Sequence, residues 1–419
     1  MWYSGAENFL AMVAYVNRNR IDRIGVLATF TIVILVAAYN LQIVAKFDSS
    51  TGWDLDMLCA SFAALSEGKD PYFVANIGVG GLVFPYPIVS AYPATFLCPI
   101  RAAWPHAYVI VYLLFTAGSC AALSYVLLHN IFEATLVAIV SISAFAAFQA
   151  LAVTGNIAIL EVPFAVLTIV AVHRQRLVVG GLALGLMSSL KLLPLVGVIA
   201  FAILPVGRAQ KARAIAVSLL TFGAIQLVNI MISGPYGPSF LQQLFGRIPG
   251  QQSAYIEIGF GITNPDFIDF VFRVFDVLGI ENRSLIASAI GICGLVVGGL
   301  VTMLAQRIDE TDKFATVRLF GLAYLVCMLF IFRLKPYAFG TLVPFAVAAV
   351  MFPERALRYI SYLVLVLMPS LWSGVSYYQT ISLIIFLVVT YGLHGHVLSR
   401  VSKKSLIRPF DAERVRPAL

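Results

Sequence analysis

The sequence predicts an all-α protein that crosses a membrane about twelve times. The first observation is composition: the 419 residues are 60% hydrophobic and 11% charged, whereas soluble domains carry about 25% charged residues. The second is that the apolar residues form about twelve stretches long enough, or nearly so, to cross a hydrocarbon core of ~30 Å. The third is that lysine and arginine cluster between these stretches, so the net charge of +8 indicates membrane orientation rather than nucleic-acid binding.

The basic residues also give the orientation. Arg18, Arg20 and Arg23 precede the first apolar stretch, at about 24–45, so residues 1–23 are predicted to be cytoplasmic and the loop at about 46–105 extracytoplasmic. Residues 24–393 are predicted to form one membrane domain, with a second long outer loop at about 234–284. The basic tail 394–419 places both termini in the cytoplasm. The other spans are predicted at about 106–128, 132–153, 156–172, 178–191, 193–206, 213–233, 285–306, 314–332, 338–352, 357–371 and 376–393.

The stretch 178–206 is divided into two short helices at Lys191-Leu-Leu-Pro194. Arg174 and Arg176 precede this stretch, and Arg208 and Lys211 follow it. Only an even number of crossings places both basic groups in the cytoplasm, so the break at Lys191 is predicted to lie at the outer side.

A surface helix is predicted in the first outer loop, over residues 53–72. Asp54 and Asp56 stand at its start and project about 200° apart, so we expect one to face a site and the other to face water. Thr51 or the Ser49-Ser50 pair is the expected cap, and Gly68 the expected end. The apolar side is formed by residues at helical spacing: Leu55, Leu58, Cys59, Phe62 and Leu65.

Three cations are predicted on the outer side, where the positive-inside rule disfavours them. Lys191 lies at a helix break inside an apolar stretch, and Arg333 and Lys335 flank the outer end of another span. Together they suit a phosphate clamp, with arginine as a bidentate fork and lysine as a point charge. Tyr337 could add a hydroxyl donor. The alternatives are a lysine that reaches the headgroups, interfacial arginine and lysine anchors, and an aromatic-belt tyrosine.

Three acidic or basic residues have two interpretations each. Asp54 is either a carboxylate that stabilises a helix start or a general base, which must be ionised. Glu161 is either a group that lines a cavity or a hydrogen-bonded structural carboxylate. Arg273, in the second outer loop, is either surface charge or a ligand for substrate.

Metal and nucleotide chemistry are not expected. The five cysteines form no CxxC pair and have no histidines at metal-ligand spacing, so neither a disulfide framework nor a zinc site is predicted. No carboxylate cluster suggests a metal, and no cofactor is expected. GxGxxG, Walker, GxSxG and HExxH motifs are absent from the sequence, so ATP hydrolysis, serine hydrolysis and zinc proteolysis have no support.

Several short motifs, taken in order, resemble glycosyltransferase family 87, the polyprenol-phosphate-mannose-dependent mannosyltransferases of the membrane-embedded GT-C class. Residues 54–72, D-L-D-M-L-C-A-S-F-A-A-L-S-E-G-K-D-P-Y, resemble the family's aspartate, alanine-rich helix and G-x-D-P-Y ending. F-P-Y-P at 84–87 is similar to an aromatic-Tyr-Pro-Pro element, with Ile88 in place of the second proline. The remaining elements are Gly155-Asn156, the glycine-rich helix ending in Lys-x-x-Pro at 181–194, N-P-D-F-I-D-F-V-F-R at 264–273 and R-L-K-P-Y at 333–337.

The resemblance implies a GT-C fold and the transfer of one sugar from a polyprenyl-phosphate donor to an extracytoplasmic glycolipid or glycan acceptor. Asp54 matches the catalytic base, with Asp56 as the alternative, and the attack inverts the anomeric carbon. The leaving phosphate then needs cationic stabilisation, which Lys191, Arg333 and Lys335 would supply. The implied location is a bacterial inner membrane with the site on the periplasmic side. Other candidate substrate-binding residues are Asp56, Tyr72, Tyr86, Asn156, Glu161, Asn264, Arg273 and Tyr337.

Two other functions remain open at this point. A secondary transporter or flippase for an anionic or lipid-linked substrate would also have broken helices and an intramembrane lysine. An O-antigen polymerase or ligase would also place cations on outer loops. The long outer loops favour an enzyme, and no matching pair of broken segments divides the chain into two halves.

Overall fold

The architecture is all-α throughout the described part of the chain. The computed structural model describes residues 51–77, 84–143, 151–152, 154–244, 314–329 and 338–366, with short pieces between 27 and 38 and between 275 and 312. Every regular element in these residues is a helix, which confirms the predicted class.

Short helices form the segment predicted to be the first outer loop. They are α1 (Trp53–Ser66), α2 (Val74–Ile77), α3 (Ile88–Ala91) and α4 (Leu97–Ala103), with a 3-10 turn at Tyr92–Phe96 before α4. Prolines recur throughout residues 85–99, and each removes a backbone donor and limits the helix before it. The apolar segment 84–103 is therefore a series of short turns rather than one membrane-spanning helix.

The remaining helices form the bundle. Three 3-10 turns, at Ile157–Leu160, Leu193–Val196 and Gly234–Tyr236, join or begin its helices. The helices are α5 (Tyr108–Leu128), α6 (Ile131–Ser143), α7 (Glu161–His173), α8 (Leu177–Leu190), α9 (Gly197–Ile203), α10 (Arg208–Ser233), α11 (Gly237–Leu244), α12 (Ala315–Leu329), α13 (Ala338–Ala349) and α14 (Arg355–Val366).

Two helical stretches in the described residues are long and apolar enough to cross a membrane, Tyr108–Leu128 and Arg208–Gln242. The other apolar helices are shorter, so the number of about twelve spans is not confirmed, although helices lie in the described parts of the predicted stretches between 106 and 233. The predicted break is present, since α8 ends at Leu190 and the next turn begins at Leu193. The span predicted at 376–393 lies wholly outside the described residues. Those predicted at 24–45, 132–153, 285–306, 314–332 and 357–371 lie partly outside them.

Glycines bring the bundle helices into close contact. A Cβ at Gly181 of α8 would lie 2.3 Å from the Ala214 carbonyl oxygen of α10, and one at Gly185 would lie 2.6 Å from Thr221 Cβ. Such backbone approach replaces the hydrophobic driving force that is missing between helices in lipid. The glycine-rich sequence of α8 therefore serves helix packing against α10.

The start of α1 differs from the predicted cap. The N-cap is Gly52, with φ 86° and no side-chain capping hydrogen bond, so the expectation that Thr51 is the cap is wrong. Ser49 and Ser50 lie outside the described residues. A Cβ at Gly52 would lie 2.9 Å from the guanidinium carbon of Arg101. Glycine therefore meets two demands here, a left-handed backbone and room for an arginine.

A disulfide joins Cys59 of α1 to Cys98 of α4, across 39 residues. The expectation that the cysteines form no disulfide is therefore wrong for this pair. The two cysteines carry no local motif, and their proximity arises only because α1 packs on α4. The buried face of α1 is also wider than the predicted stripe, because Met57, Ser61 and Ala64 are buried as well.

Candidate active site

A hydrogen-bonded chain of three side chains links Asp54, Asn156 and Lys191. Asn156 Nδ2 donates to Asp54 Oδ2 at 2.6 Å, and Lys191 Nζ donates to Asn156 Oδ1 at 2.8 Å. The sequence separations are 102 and 35 residues. The fold therefore brings together the predicted base, one predicted phosphate-binding cation and one candidate substrate-binding amide.

The backbone at Gly155 lets the turn before α7 touch α1. Gly155 has φ 67°, and a Cβ there would lie 2.9 Å from Leu55 Cβ and 3.1 Å from Gly52 Cα. Any other residue would be strained and would push the two segments apart. This glycine therefore sets the distance between Asn156 and Asp54.

Asn156 is held as an N-cap. Its Oδ1 accepts from the Ala158 backbone N–H at 3.0 Å, at the start of the 3-10 turn Ile157–Leu160. The residue is 1% exposed. Because Oδ1 accepts from both Ala158 and Lys191, Nδ2 is directed to Asp54.

Lys191 lies where α8 ends, in an extended conformation (φ −144°, ψ 143°). Pro194 follows in the 3-10 turn and cannot continue the ladder of α8. The Nζ atom lies 5.5 Å from the centre of the Tyr86 ring, a cation–π contact. Tyr86 is 2% exposed, and its ring centre also lies 5.8 Å from that of Phe84.

Asp56 is 40% accessible, as expected for the acid on the outward side of the helix, but it is also held in an ion pair that the sequence did not predict. Arg101 of α4 donates to both its carboxylate oxygens, at 2.8 and 2.9 Å. The same guanidinium donates to the carbonyl oxygens of Thr51 and Pro105. The hydrogen bond to Asp56 raises the pKa of Arg101 above its ordinary value. Asp56 thus anchors α1 to α4, while Asp54 is the acid that faces Asn156 and Lys191.

Arg101 is the residue that sequence reasoning missed. It is a cation in a loop predicted to be extracytoplasmic, where the positive-inside rule disfavours lysine and arginine. The same signal singled out Lys191, Arg333 and Lys335, so it could have identified Arg101 too.

Tyr72 is fully buried in an aromatic cluster. Its ring lies 5.6 Å from Phe84 and 5.5 Å from Phe240, between ring centres. Its hydroxyl lies beside Asn229 and Ser233 of α10, and burial raises its pKa to about 12. These contacts tie the end of the surface-helix segment to α10 and α11.

Glu161 opens α7 and is 2% exposed. Its carboxyl lies beside Thr341 of α13 and within electrostatic range of Lys191. Its Oε1 accepts no hydrogen bond within the described residues. Lys191 is therefore linked to Asp54 through Asn156 and interacts electrostatically with Glu161.

Five candidate residues lie outside the described residues: Asn264, Arg273, Arg333, Lys335 and Tyr337.

The fold and the site together define an all-helical, membrane-associated protein with charged groups at helix ends. The chain belongs to glycosyltransferase family 87, whose sequence profile matches residues 84–334, more than half of the chain. The resemblance inferred from the motifs is thus confirmed, and the protein is a glycosyltransferase. Asn156, Glu161 and Lys191 lie inside the matched range, and Asp54 lies before it. Comparison with curated proteins and with solved structures finds no match.

Proposed function

We propose that the protein transfers a single sugar from a polyprenyl-phosphate donor to an extracytoplasmic glycolipid or glycan acceptor, with inversion and with Asp54 as the general base. The observation that carries the proposal is the contact chain from Asp54 through Asn156 to Lys191. It puts a carboxylate and an ammonium group, from distant parts of the sequence, at one end of the helical bundle.

The surroundings of Asp54 suit a base. It is the second residue of α1, where the helix dipole favours a negative charge. The hydrogen bond from Asn156 also favours the ionised carboxylate. An ionised carboxylate within reach of an acceptor hydroxyl is what proton abstraction requires.

The bond changes follow from these roles. Asp54 takes the acceptor hydroxyl proton as the oxygen attacks the anomeric carbon of the donor. The bond from that carbon to the phosphate oxygen breaks, and its electron pair leaves with polyprenyl phosphate. Lys191 stabilises the charge on the leaving phosphate, and Arg333 and Lys335 are proposed to join it.

The disulfide supports an extracytoplasmic site. Cys59 lies five residues after Asp54 in the same helix, and disulfides persist in oxidising compartments. The proposed location is the periplasmic face of a bacterial inner membrane, with both termini cytoplasmic. Membership in a glycosyltransferase family favours an enzyme over a transporter or flippase. Among enzymes, the acid–amide–lysine contact favours single-sugar transfer with a base over a polymerase or ligase.

The test compares purified Asp54→Asn with wild type on a panel of polyprenyl-phosphate sugars, with mass spectrometry as the readout. We expect Asp54→Asn to lower turnover about 10²–10⁴-fold while it still binds polyprenyl phosphate. Glu67→Gln makes the same chemical change on exposed Glu67, just after α1, and should keep full activity. Lys191→Met should weaken polyprenyl-phosphate binding, whereas Lys211→Met should not. Full transfer by Asp54→Asn, or no transfer by wild type from any donor in the panel, would overturn the proposal.

A further inference from the structure

We infer that Asn156 is a positioning residue: its amide holds the Asp54 carboxylate and the Lys191 ammonium group in one fixed relation, and it does not bind substrate. The inference rests on the proposed function and deepens the same site. The sequence analysis named Asn156 as a candidate substrate-binding residue, and the inference gives it a different role.

The orientation of the amide is determined by its contacts. Oδ1 accepts from the Ala158 N–H at 3.0 Å and from Lys191 Nζ at 2.8 Å, and an NH₂ group could accept neither. The NH₂ group therefore faces Asp54, at 2.6 Å. One planar group thus fixes where the carboxylate and the ammonium group lie.

Burial leaves Asn156 little surface for a substrate. It is 1% exposed, whereas Asp54 is half-buried. Its backbone is held independently, because the Gly155 and Asn156 N–H groups both donate to the Leu151 carbonyl oxygen. Side-chain substitutions can therefore remove the amide contacts while the turn remains.

Within the described residues, the other charged and titratable groups around this contact include Tyr86, whose ring centre lies 5.5 Å from Lys191 Nζ. Tyr112 of α5 is within electrostatic range of Asp54, and the Asp56–Arg101 pair lies on the other side of α1. Glu161 is within electrostatic range of Lys191. None of these groups changes in the variants below, so a shifted titration reports on the substituted pair.

The deciding variant is Asn156→Asp. It keeps an acceptor for Ala158 and Lys191 but replaces the donor that faces Asp54 with an oxygen. Two carboxylates at that distance repel each other when both are ionised, so the pair holds one proton between them to higher pH. Because the base must be ionised, we expect the acid limb of the pH profile of kcat/KM to move to higher pH by about one unit or more.

An infrared titration of purified protein gives a readout that needs no activity. A protonated carboxyl signal should persist to higher pH in Asn156→Asp than in wild type. The double variant Asp54→Asn with Asn156→Asp exchanges acid and amide, so it restores one amide–carboxylate pair and should lose that signal. Asn130→Asp is the matched control, because Asn130 caps α6 through the same kind of backbone contact, to Phe132 N–H.

The variant Asn156→Ser tests the contacts with Asp54 and Lys191 separately from the N-cap contact with Ala158. Serine can still cap the Ala158 N–H but cannot reach both Asp54 and Lys191. We expect kcat to fall with little change in the KM for acceptor, and thermal stability to stay near that of wild type.

Three results would overturn the inference: an unchanged titration in Asn156→Asp, a rise in acceptor KM alone in Asn156→Ser, or unchanged kcat and KM in Asn156→Ser. Absence of transfer by wild type would instead overturn the proposed function, and the infrared titration would still decide the role of Asn156.

Discussion

Gly155 is the residue whose backbone conformation most directly determines the site. Its φ of 67° is left-handed, and Leu55 and Gly52 leave no room for a Cβ. Gly68 has a similar φ, 74°, but nothing lies within 4 Å of its Cβ position. An alanine at Gly68 would therefore cost only backbone strain, whereas an alanine at Gly155 would cost backbone strain and a steric clash with α1.

We expect Gly155→Ala to destabilise the protein more than Gly68→Ala and to abolish most sugar transfer. Gly68→Ala should cost roughly 1–2 kcal/mol from the backbone alone and leave transfer intact. Gly155→Ala adds the collision with α1 and moves Asn156 away from Asp54. Thermal unfolding and transfer assays on the two purified variants test this. Equal activity of the two variants would show that the contact with α1 does not set the site geometry.

Charge was the signal that sequence reasoning could use at this scale. Asp54 and Lys191 stood out because ionised groups are rare in an apolar chain, and the structure brings both together. Asn156 carries no charge, so its bridging contacts could not be read from the sequence. The roles of Asp56 and Arg101 depend on the packing of α1 against α4, which no local pattern encodes.

Helix α1 is the element on which the acid depends, and two contacts tie it to α4. One is the Cys59–Cys98 disulfide, and the other is the Asp56–Arg101 ion pair. The ion pair is partly exposed, since the Asp56 side chain is 40% accessible, and solvent screening weakens it. The disulfide is therefore the stronger tie.

We expect the double variant Cys59→Ser, Cys98→Ser to lower the free energy of unfolding by about 2–4 kcal/mol and to reduce transfer, because α1 is held less firmly. Reductant should lower the melting temperature of wild type and leave that of the double variant unchanged. Cys293→Ser, at an exposed free cysteine, is the control and should behave as wild type. A wild-type melting temperature insensitive to reductant would contradict this expectation.

The helices themselves were predictable because several apolar stretches end at a proline or a basic cluster: Arg174 and Arg176 follow α7, and Pro194 follows α8. The starts and ends of α5, α8 and α9 lie within a few residues of the predicted spans. The cap of α1 and the disulfide were not predictable, since both depend on residues of α4 that are about 40 to 50 positions away. Local periodicity therefore predicts where helices form, whereas the bonds between helices depend on contacts between residues that are distant in the sequence.

At the scale of the whole molecule, the predicted orientation assigns the two ends of the bundle to opposite sides of the membrane. Lys69, after α1, is predicted outside, and Gln175, between α7 and α8, is predicted inside; both are exposed. In a background with Cys120, Cys293 and Cys327 changed to serine, Lys69→Cys should react with an impermeant maleimide in intact cells. Gln175→Cys should react only after permeabilisation. Labelling of both variants in intact cells would contradict the predicted orientation.

The separation of Asp54 from Lys191 along the chain has a consequence during synthesis. The ribosome adds about 5–20 residues per second, so Asp54 leaves it on the order of ten seconds before Lys191. Cys98 emerges well before Asn156, so the Cys59–Cys98 disulfide can join α1 to α4 before Asn156 has been synthesised. The nascent chain thus has its acid held in place early, and it can complete the site only when the end of α8 has been synthesised.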